Sequence, residues 1–394
     1  MVRFIKIFLS LLALCTLSAQ AEMPFRAAWI ATVANIDWPQ SETVGQSEQQ
    51  QASMQTMLDS LRALGMNAII FQVRPTADAL YHSELEPASH WLTGTQGRWG
   101  DAAPYDALRF VLDEAHRRDM EVHVWLNPYR LTLHNMDTAM LAGDHIFRFH
   151  REWFWKYGKQ WYFDPAQKAT RDWICMVVED ICCRYDIDAI HMDDYFYPYP
   201  IAKTPIPDRR QFEADPRGFT AISDWRRDNV NRTIEAIHDR IKRTRPEVQF
   251  GISPFGVWRN QDRDSLGSAT RAGMTNYDDL YADILLWIRN GWIDYVVPQL
   301  YWEIGKKVAD YEVLAHWWAD AVRGTDVKLY IGMAPYRLGG KNEAEAWRTG
   351  NEIARQMRLN RTIPEITGEC FYSTCPLLKN PLGVCDSIKH FYHE

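Results

Sequence analysis

Short apolar, β-branched runs alternate with longer helical stretches along nearly the whole chain, and this alternation limits the fold more than any other feature. Strand-type runs occur at Phe25 to Ala31, Asn67 to Val73, Met120 to Leu126, from Ile187 to the break at Asp193, Val248 to Ser253, Ile293 to Leu300, Val327 to Met333 and Thr367 to Ser373. Between them, helical spacing covers 47–64, 105–119, 165–185, 223–245 (with Ser223 as the expected N-cap), 278–290, 311–323 and 343–359. Runs this short and apolar read as strands buried on both faces, which is the environment of a parallel sheet covered by helices. About eight such pairs is the number that closes a barrel, so the expected fold is a (β/α)8 TIM barrel with long βα loops on its C-terminal face. An open doubly wound sheet would carry a Gly-rich first turn for phosphate, and none follows the first strand.

The expected barrel spans residues 22–394 with no second domain. Residues 1–21 read as a secretory signal peptide: Arg3 and Lys6 precede an apolar core from Ile7 to Leu17, and Ser18-Ala19-Gln20-Ala21 matches an A-x-A cleavage site. Leu14 stands immediately before Cys15, where a lipoprotein signal places a small residue, so plain export to the periplasm or medium is expected ahead of lipid anchoring through Cys15. No later apolar run is long enough to span a bilayer. The net charge of −7 comes without any basic cluster, which argues against a nucleic-acid partner. Six cysteines remain after cleavage. Cys175 and Cys182 share a helix face and read as small buried hydrophobes, while Cys375 and Cys385 form a candidate disulfide. No spacing resembles a zinc site. His123, His191 and Asp193 are acceptable metal ligands in kind, but no second motif supports them, so neither metal nor cofactor is expected.

The stretch IDAIHMDDYFYPYP (187–200) is apolar along its length and acidic at its C-terminal end, the end that an α/β barrel places at its catalytic mouth. Side chains alternate along a strand, so His191, Asp193 and Tyr195 share one face, as do Gln299, Tyr301 and Glu303 in VVPQLYWE (296–303). Neighbouring strand ends thus supply at least two carboxylates to one cleft. Arg74, Asn127, Tyr129, Ser253 and Tyr336 stand at further strand ends.

Paired carboxyls are what glycoside hydrolysis asks for: one kept protonated to feed the leaving oxygen, another ionised. Adjacent Asp193 and Asp194 would split their pKa values by mutual repulsion. Asp193 is read as the ionised group, with Asp194 or Glu303 as general acid. Arg74, Asn127, Gln299 and Tyr301 would hold sugar hydroxyls or an N-acyl group, with His191 beside them unless it is a hydrogen-bonded core histidine. Tyr129, Tyr195, Trp302, Trp91 and Trp99 would stack on sugar rings. The 17 Trp and 18 Tyr suit such stacking, although core packing explains Trp29, Trp125 and Trp287 equally well.

The sequence also resembles the bacterial glycosyl-hydrolase-like 10 family. The matching stretches include RAAWIATVANIDWP (26–39), NAIIFQVRPTADALYHSELEPASHWLTGTQG (67–97), VHVWLNPYR (122–130), IDAIHMDDYFYPYP (187–200), FGISPFGVWRN (250–260), VVPQLYWEIG (296–305), IGMAPYR (331–337) and NPLGVCDSI (380–388). The resemblance implies hydrolysis of an O-glycosidic bond, with peptidoglycan strands stripped of their stem peptides as the implied substrate. A fainter likeness to chitinase-type barrels, whose fourth strand reads D-x-x-D-x-D-x-E, matches Asp188 and Asp193. His191 and Tyr195 replace its second and fourth acidic positions, and Tyr301 falls where such barrels keep a tyrosine near an N-acetyl group. The absent glutamate supports an alternative, a glycan-binding barrel without catalysis.

Overall fold

The computed structural model describes residues 23–393 apart from 98, 100–104 and 135, so the leader expected at 1–21 lies outside the described residues. Eight parallel strands close into a barrel: β1 (Phe25–Ile30), β2 (Ala68–Arg74), β3 (Glu121–Leu126), β4 (Ala189–Met192), β5 (Gln249–Ile252), β6 (Tyr295–Val296), β7 (Lys328–Met333) and β8 (Ile366–Phe371). Each strand pairs with its neighbours in sequence, and β1 closes the ring on β8 with Phe25 opposite Gly368 and Ala27 opposite Cys370.

Both faces of each strand are dry, which is why the runs are apolar throughout rather than alternating. One face packs Phe25, Trp29, Ile70, Trp125, Tyr295 and Tyr330 into the barrel interior. The other sets Ile69, Phe71, Val124, Ile190, Phe250 and Ile331 against helix residues such as Leu58, Val111, Val178, Ile237 and Trp318. The covering helices include Ser47–Ala63, Ala107–His116, Lys168–Arg184, Ile222–Thr244 and Tyr311–Val322. Cys175 and Cys182 are buried on the third of these.

Local chemistry moved several expected boundaries. Ser223 lies inside its helix, which starts at Ile222 after Ala221, so it is not the N-cap. The helix expected over 278–290 is two short pieces, Asn276–Asp279 and Ile284–Arg289; Tyr281 adopts a positive φ of 54° between them, and the Asp283 side chain caps the second piece. The helix expected over 343–359 is likewise broken into Glu345–Arg348 and Asn351–Arg361. In β6 regular pairing stops at Val296 because Pro298 has no N–H to give, although Gln299 still bonds back to Pro254. The insertion after β3 contains an antiparallel hairpin, Phe154–Tyr157 with Gln160–Phe163, and a helix at Val384–His393 follows β8; neither was expected. The candidate disulfide is not formed. The Cys375 thiol bonds to the Asp37 carbonyl at 3.3 Å and the Cys385 thiol to the Leu377 carbonyl at 3.2 Å. No helix among the described residues is long and apolar enough to cross a membrane.

Filling the barrel interior depends on one glycine. A Cβ on Gly251 would stand 1.9 Å from the ring of Tyr295, its partner on β6, so the tyrosine can lie across the barrel only because position 251 has no side chain. Gly251→Ala should therefore destabilise the protein by about 3 kcal/mol or more in urea unfolding. Gly143→Ala, where nothing lies within 4 Å, should stay within about 0.5 kcal/mol of the parent.

Candidate active site

Asp193 and Asp194 follow β4 directly, and the surrounding strand ends treat them differently. Asp193 Oδ2 accepts hydrogen bonds from Asn127 Nδ2 at 2.6 Å and Trp125 Nε1 at 3.1 Å, and its Oδ1 accepts from the Tyr195 backbone N–H at 3.1 Å. The orientation of the Asn127 amide is determined by its other bonds. Its Oδ1 accepts from Gln72 Nε2 at 2.6 Å and Arg130 Nη2 at 2.7 Å, so the nitrogen must face Asp193. Gln72 is oriented in turn, because its Oε1 accepts the backbone N–H groups of Thr32 and Val33, each at 2.9 Å. Burial raises the Asp193 pKa and prevails, but the Arg130 charge and these donors pull it part of the way back. Three N–H donors and a nearby guanidinium make Asp193 the better holder of the negative charge.

Asp194 has less support. Its oxygens accept from the Tyr199 hydroxyl and from Gln299 Nε2 at 3.1 Å. Burial first, and the charge of Asp193 second, push its pKa up to about 7. One carboxyl is thus inclined to ionise and its neighbour to keep a proton near neutrality, the division of labour that acid-assisted bond cleavage needs.

The pair opens into a cleft of about 260 Å³ at the C-terminal mouth. Trp29, Trp125, Tyr195, Tyr199, Tyr301 and Tyr372 form aromatic walls, Val33 and Ile36 an apolar edge, and Arg130, Ser253 and Gln299 the remaining polar lining. Tyr301 and Tyr372 stack with ring centres 6.0 Å apart, and Tyr195 is 39% exposed, leaving ring surface for a ligand. A larger cavity, about 600 Å³, lies at the opposite end among the strand N-termini and far along the barrel from the carboxyl pair.

Of the residues singled out from the sequence, Asp193, Asp194, Tyr195, Ser253, Gln299 and Tyr301 come together in the cleft, and Asn127 stands directly behind it. Tyr336 packs edge-on to Tyr301 and Tyr372, with ring centres 5.9 and 6.1 Å away. The remaining ones point elsewhere. Arg74 is buried in a two-pronged pair with Glu86 (2.6 and 2.7 Å) and donates to the Asn127 carbonyl at 2.6 Å, so it clamps the backbone that carries Asn127. Tyr129 is buried in the layer between sheet and helices. Trp302 packs edge-on to Phe255 at 5.4 Å and over Gly256. Glu303 does not line the cleft: it accepts from Trp347 Nε1 at 2.9 Å and pairs with Lys306 at 3.1 Å. Burial raises its pKa, but Trp347, the residue's own backbone N–H and Lys306 together outweigh burial and hold it below the usual glutamate value. Trp91 lies on His90 and Trp99 beside His82, away from the cleft. His191 is a core residue, kept neutral by burial and bonded to Ser253 and Tyr295.

Trp125, Arg130, Tyr199 and Tyr372 join the site without having been singled out for it. Tyr372 was within reach of the alternation rule, because it continues the inward parity of Cys370 on β8. Tyr199 had no such signal, since it sits in a loop. Among the described residues no three His, Cys, Asp or Glu side chains converge as a metal site, and His123 and His191 share the Tyr295 hydroxyl instead.

A closed parallel barrel with two unlike carboxyls at its C-terminal mouth is an architecture that glycoside hydrolases use. The chain belongs to the glycosyl hydrolase-like 10 family, whose model matches residues 24–349. It is 47% identical over 372 residues to Glycosyl hydrolase YngK of Bacillus subtilis (strain 168), covering 94% of this chain and 72% of that protein. It is 38% identical over 371 residues to Glycosyl hydrolase DigH of Escherichia coli (strain K12), covering 90% of this chain and 83% of that protein. In fold it resembles the PgaB (BpsB) glycoside hydrolase domain from Bordetella bronchiseptica, at TM-score 0.56 and 10% identity over 94% of this chain and 99% of that one. It also resembles the endo-1,4-beta-mannanase from Rhizomucor miehei, at TM-score 0.57 and 10% identity over 94% and 96% of the two chains.

The raised pKa of Asp194 has a stability consequence with a definite sign. The folded state binds this proton more tightly than the unfolded chain, so the stabilisation is complete below pH 3.8 and is lost as pH rises through about 7. Asp194→Asn carries no proton to lose. Between pH 4 and pH 8 the unfolding free energy of the parent should fall by about 2 to 4 kcal/mol relative to this variant, measured by urea unfolding.

Proposed function

We propose that this protein is an exported glycosidase that cleaves O-glycosidic bonds in a glycan containing N-acetylhexosamine, such as peptidoglycan strands. Asp194 is the general acid and Asp193 the ionised stabilising group. The observation that carries this reading is the pair of adjacent buried carboxyls, one supported by three N–H donors and the other pushed up to about 7. In the first step Asp194 gives its proton to the bridging oxygen as the bond from that oxygen to the anomeric carbon breaks. The positive charge that develops on the sugar faces Asp193. The acetamido oxygen of the sugar, lying near Tyr301, closes on the anomeric carbon and carries that charge as a ring. Water then opens the ring at the anomeric carbon and leaves its surplus proton on Asp194, which restores the starting state. Gln299 holds Asp194 by its amide, and Tyr195, Tyr301 and Tyr372 offer faces to the apolar sides of sugar rings.

The leader read at residues 1–21 supports export to the compartment where peptidoglycan lies, and the family resemblance favours strands without stem peptides. Purified protein from residue 22 onward should therefore release sugar fragments, seen by mass, from peptide-free strands and not from intact peptidoglycan. Strands retained without any product would favour a glycan-binding barrel, and cleavage of another glycan alone would remove peptidoglycan from the reading.

Asp193→Asn and Asp194→Asn should each lower kcat/KM by at least about 100-fold, while Glu303→Gln stays within a few-fold of the parent. The alkaline limb of kcat/KM should fall near pH 7, where Asp194 loses its proton. A profile flat to pH 9, or a Glu303→Gln variant without activity, would move the acid role away from Asp194.

A further inference from the structure

A single file of hydrogen-bonded side chains runs down the inside of the barrel, from the catalytic cleft to the cavity at the other end. Ser253 Oγ, in the cleft lining, lies 2.9 Å from His191 Nε2. His191 Nδ1 lies 3.0 Å from the Tyr295 hydroxyl, and that hydroxyl lies 2.7 Å from His123 Nδ1. His123 Nε2 then meets Glu121 Oε2 at 3.1 Å, on the rim of the larger cavity. The four inner residues are at most 1% exposed, so no solvent intervenes, whereas the Glu121 side chain is 50% exposed.

Proton counting gives this file one direction. A neutral imidazole has one N–H and one bare nitrogen, and a tyrosine hydroxyl between two imidazoles gives to one and takes from the other. An ionised carboxylate can only accept. The bond from His123 first, with Lys328 and His116 adding to it, holds Glu121 below the usual glutamate range against the opposing effect of burial. The proton of His123 therefore sits on Nε2, which leaves Nδ1 bare to accept from Tyr295. The Tyr295 oxygen then accepts from His191 Nδ1–H, which leaves His191 Nε2 bare to accept from Ser253. The one hydroxyl proton of Ser253 is thus drawn to His191 at 2.9 Å in preference to the Met192 carbonyl at 3.5 Å, and Oγ, in the cleft lining, keeps its lone pairs for a ligand.

We propose that Glu121, at the far end of the barrel, polarises this file so that Ser253 Oγ meets the bound sugar as a hydrogen-bond acceptor. Ser253 then selects a ligand that offers an O–H or N–H donor at that point and disfavours one that offers only an acceptor there. Glu121 is a positioning residue acting through three side chains. The sugar-binding half of this inference rests on the glycosidase reading above; the proton arrangement stands independently of it.

The test is the ¹⁵N NMR signature of the two imidazoles in the full-length folded protein at pH 7.5, with cleavage of peptide-free glycan strands as a second readout. In the parent, His191 should carry its proton on Nδ1 and His123 on Nε2. Glu121→Lys offers only donors, so both tautomers should reverse and KM for the strands should rise about fivefold, the loss of one hydrogen bond, with kcat changed less. Glu121→Gln can give or accept; it should yield mixed tautomers and serves as the milder variant if the lysine variant does not fold. A proton on Nε2 of His191 in the parent, a doubly protonated His123, or tautomers unmoved in both variants would overturn the proposal. If the parent cleaves no strands, the glycosidase reading fails while the tautomers still decide the direction of the file.

Discussion

The hydrogen bond from Asn127 to Asp193 is the interaction on which the rest of the site depends. A carboxylate with almost no exposed surface is costly to ionise unless its lost water is replaced by fixed donors. Here the replacement is fixed at several removes: the backbone of the β1 loop orients Gln72, Gln72 and Arg130 orient Asn127, and Asn127 presents its N–H to Asp193. Donors that are already aimed need no reorganisation when charge develops nearby, which is the main way such sites lower a barrier. The Arg74–Glu86 pair belongs to the same arrangement, because the Arg74 guanidinium grips the backbone carbonyl of Asn127 itself.

Two chemically identical residues side by side acquire different surroundings through their neighbours alone. Asp193 looks back into the barrel, where N–H donors and Arg130 are gathered. Asp194 looks along the rim toward a phenol and an amide, which do less to support a charge, and it also feels the charge of Asp193. Neutralising either carboxyl would change the other, so the two titrate as a coupled pair rather than as independent groups.

The barrel interior is not uniformly apolar. Beneath the cleft, the aromatic layer of Phe25, Trp29, Tyr295 and Tyr330 surrounds two histidines, and the missing side chain at Gly251 gives Tyr295 the room to bridge them. Buried polar groups of this kind are costly unless their donors and acceptors are matched. That requirement explains why the file of side chains continues without a break to a carboxylate at the rim. A buried polar network with both ends satisfied holds its members in one arrangement, which is what a site needs from its foundation.

Much of this was legible in the sequence, for a physical reason. Strands that are dry on both faces must be apolar throughout, and parallel strands must be joined by helices, so the eightfold alternation is written locally. Alternation of side chains also placed Asp193, Tyr195, Gln299 and Tyr301 toward one mouth. Positions that depend on rotamers and on loop paths were not written locally. Glu303 has the same parity as Tyr301, yet Trp347 and Lys306, distant and near in sequence, turn it away from the cleft. Tyr199 reaches Asp194 only through the path of its loop, and Trp125, for which the sequence left core packing and sugar stacking equally open, becomes a donor to Asp193 because β3 and β4 pair in one register. The sequence by itself determined the barrel and which strand end would be acidic, because secondary-structure period and burial are local properties. Which carboxyl is better supported as an anion was decided only by the tertiary structure, because a pKa is set by donors and charges that the fold brings together from strands far apart in the chain.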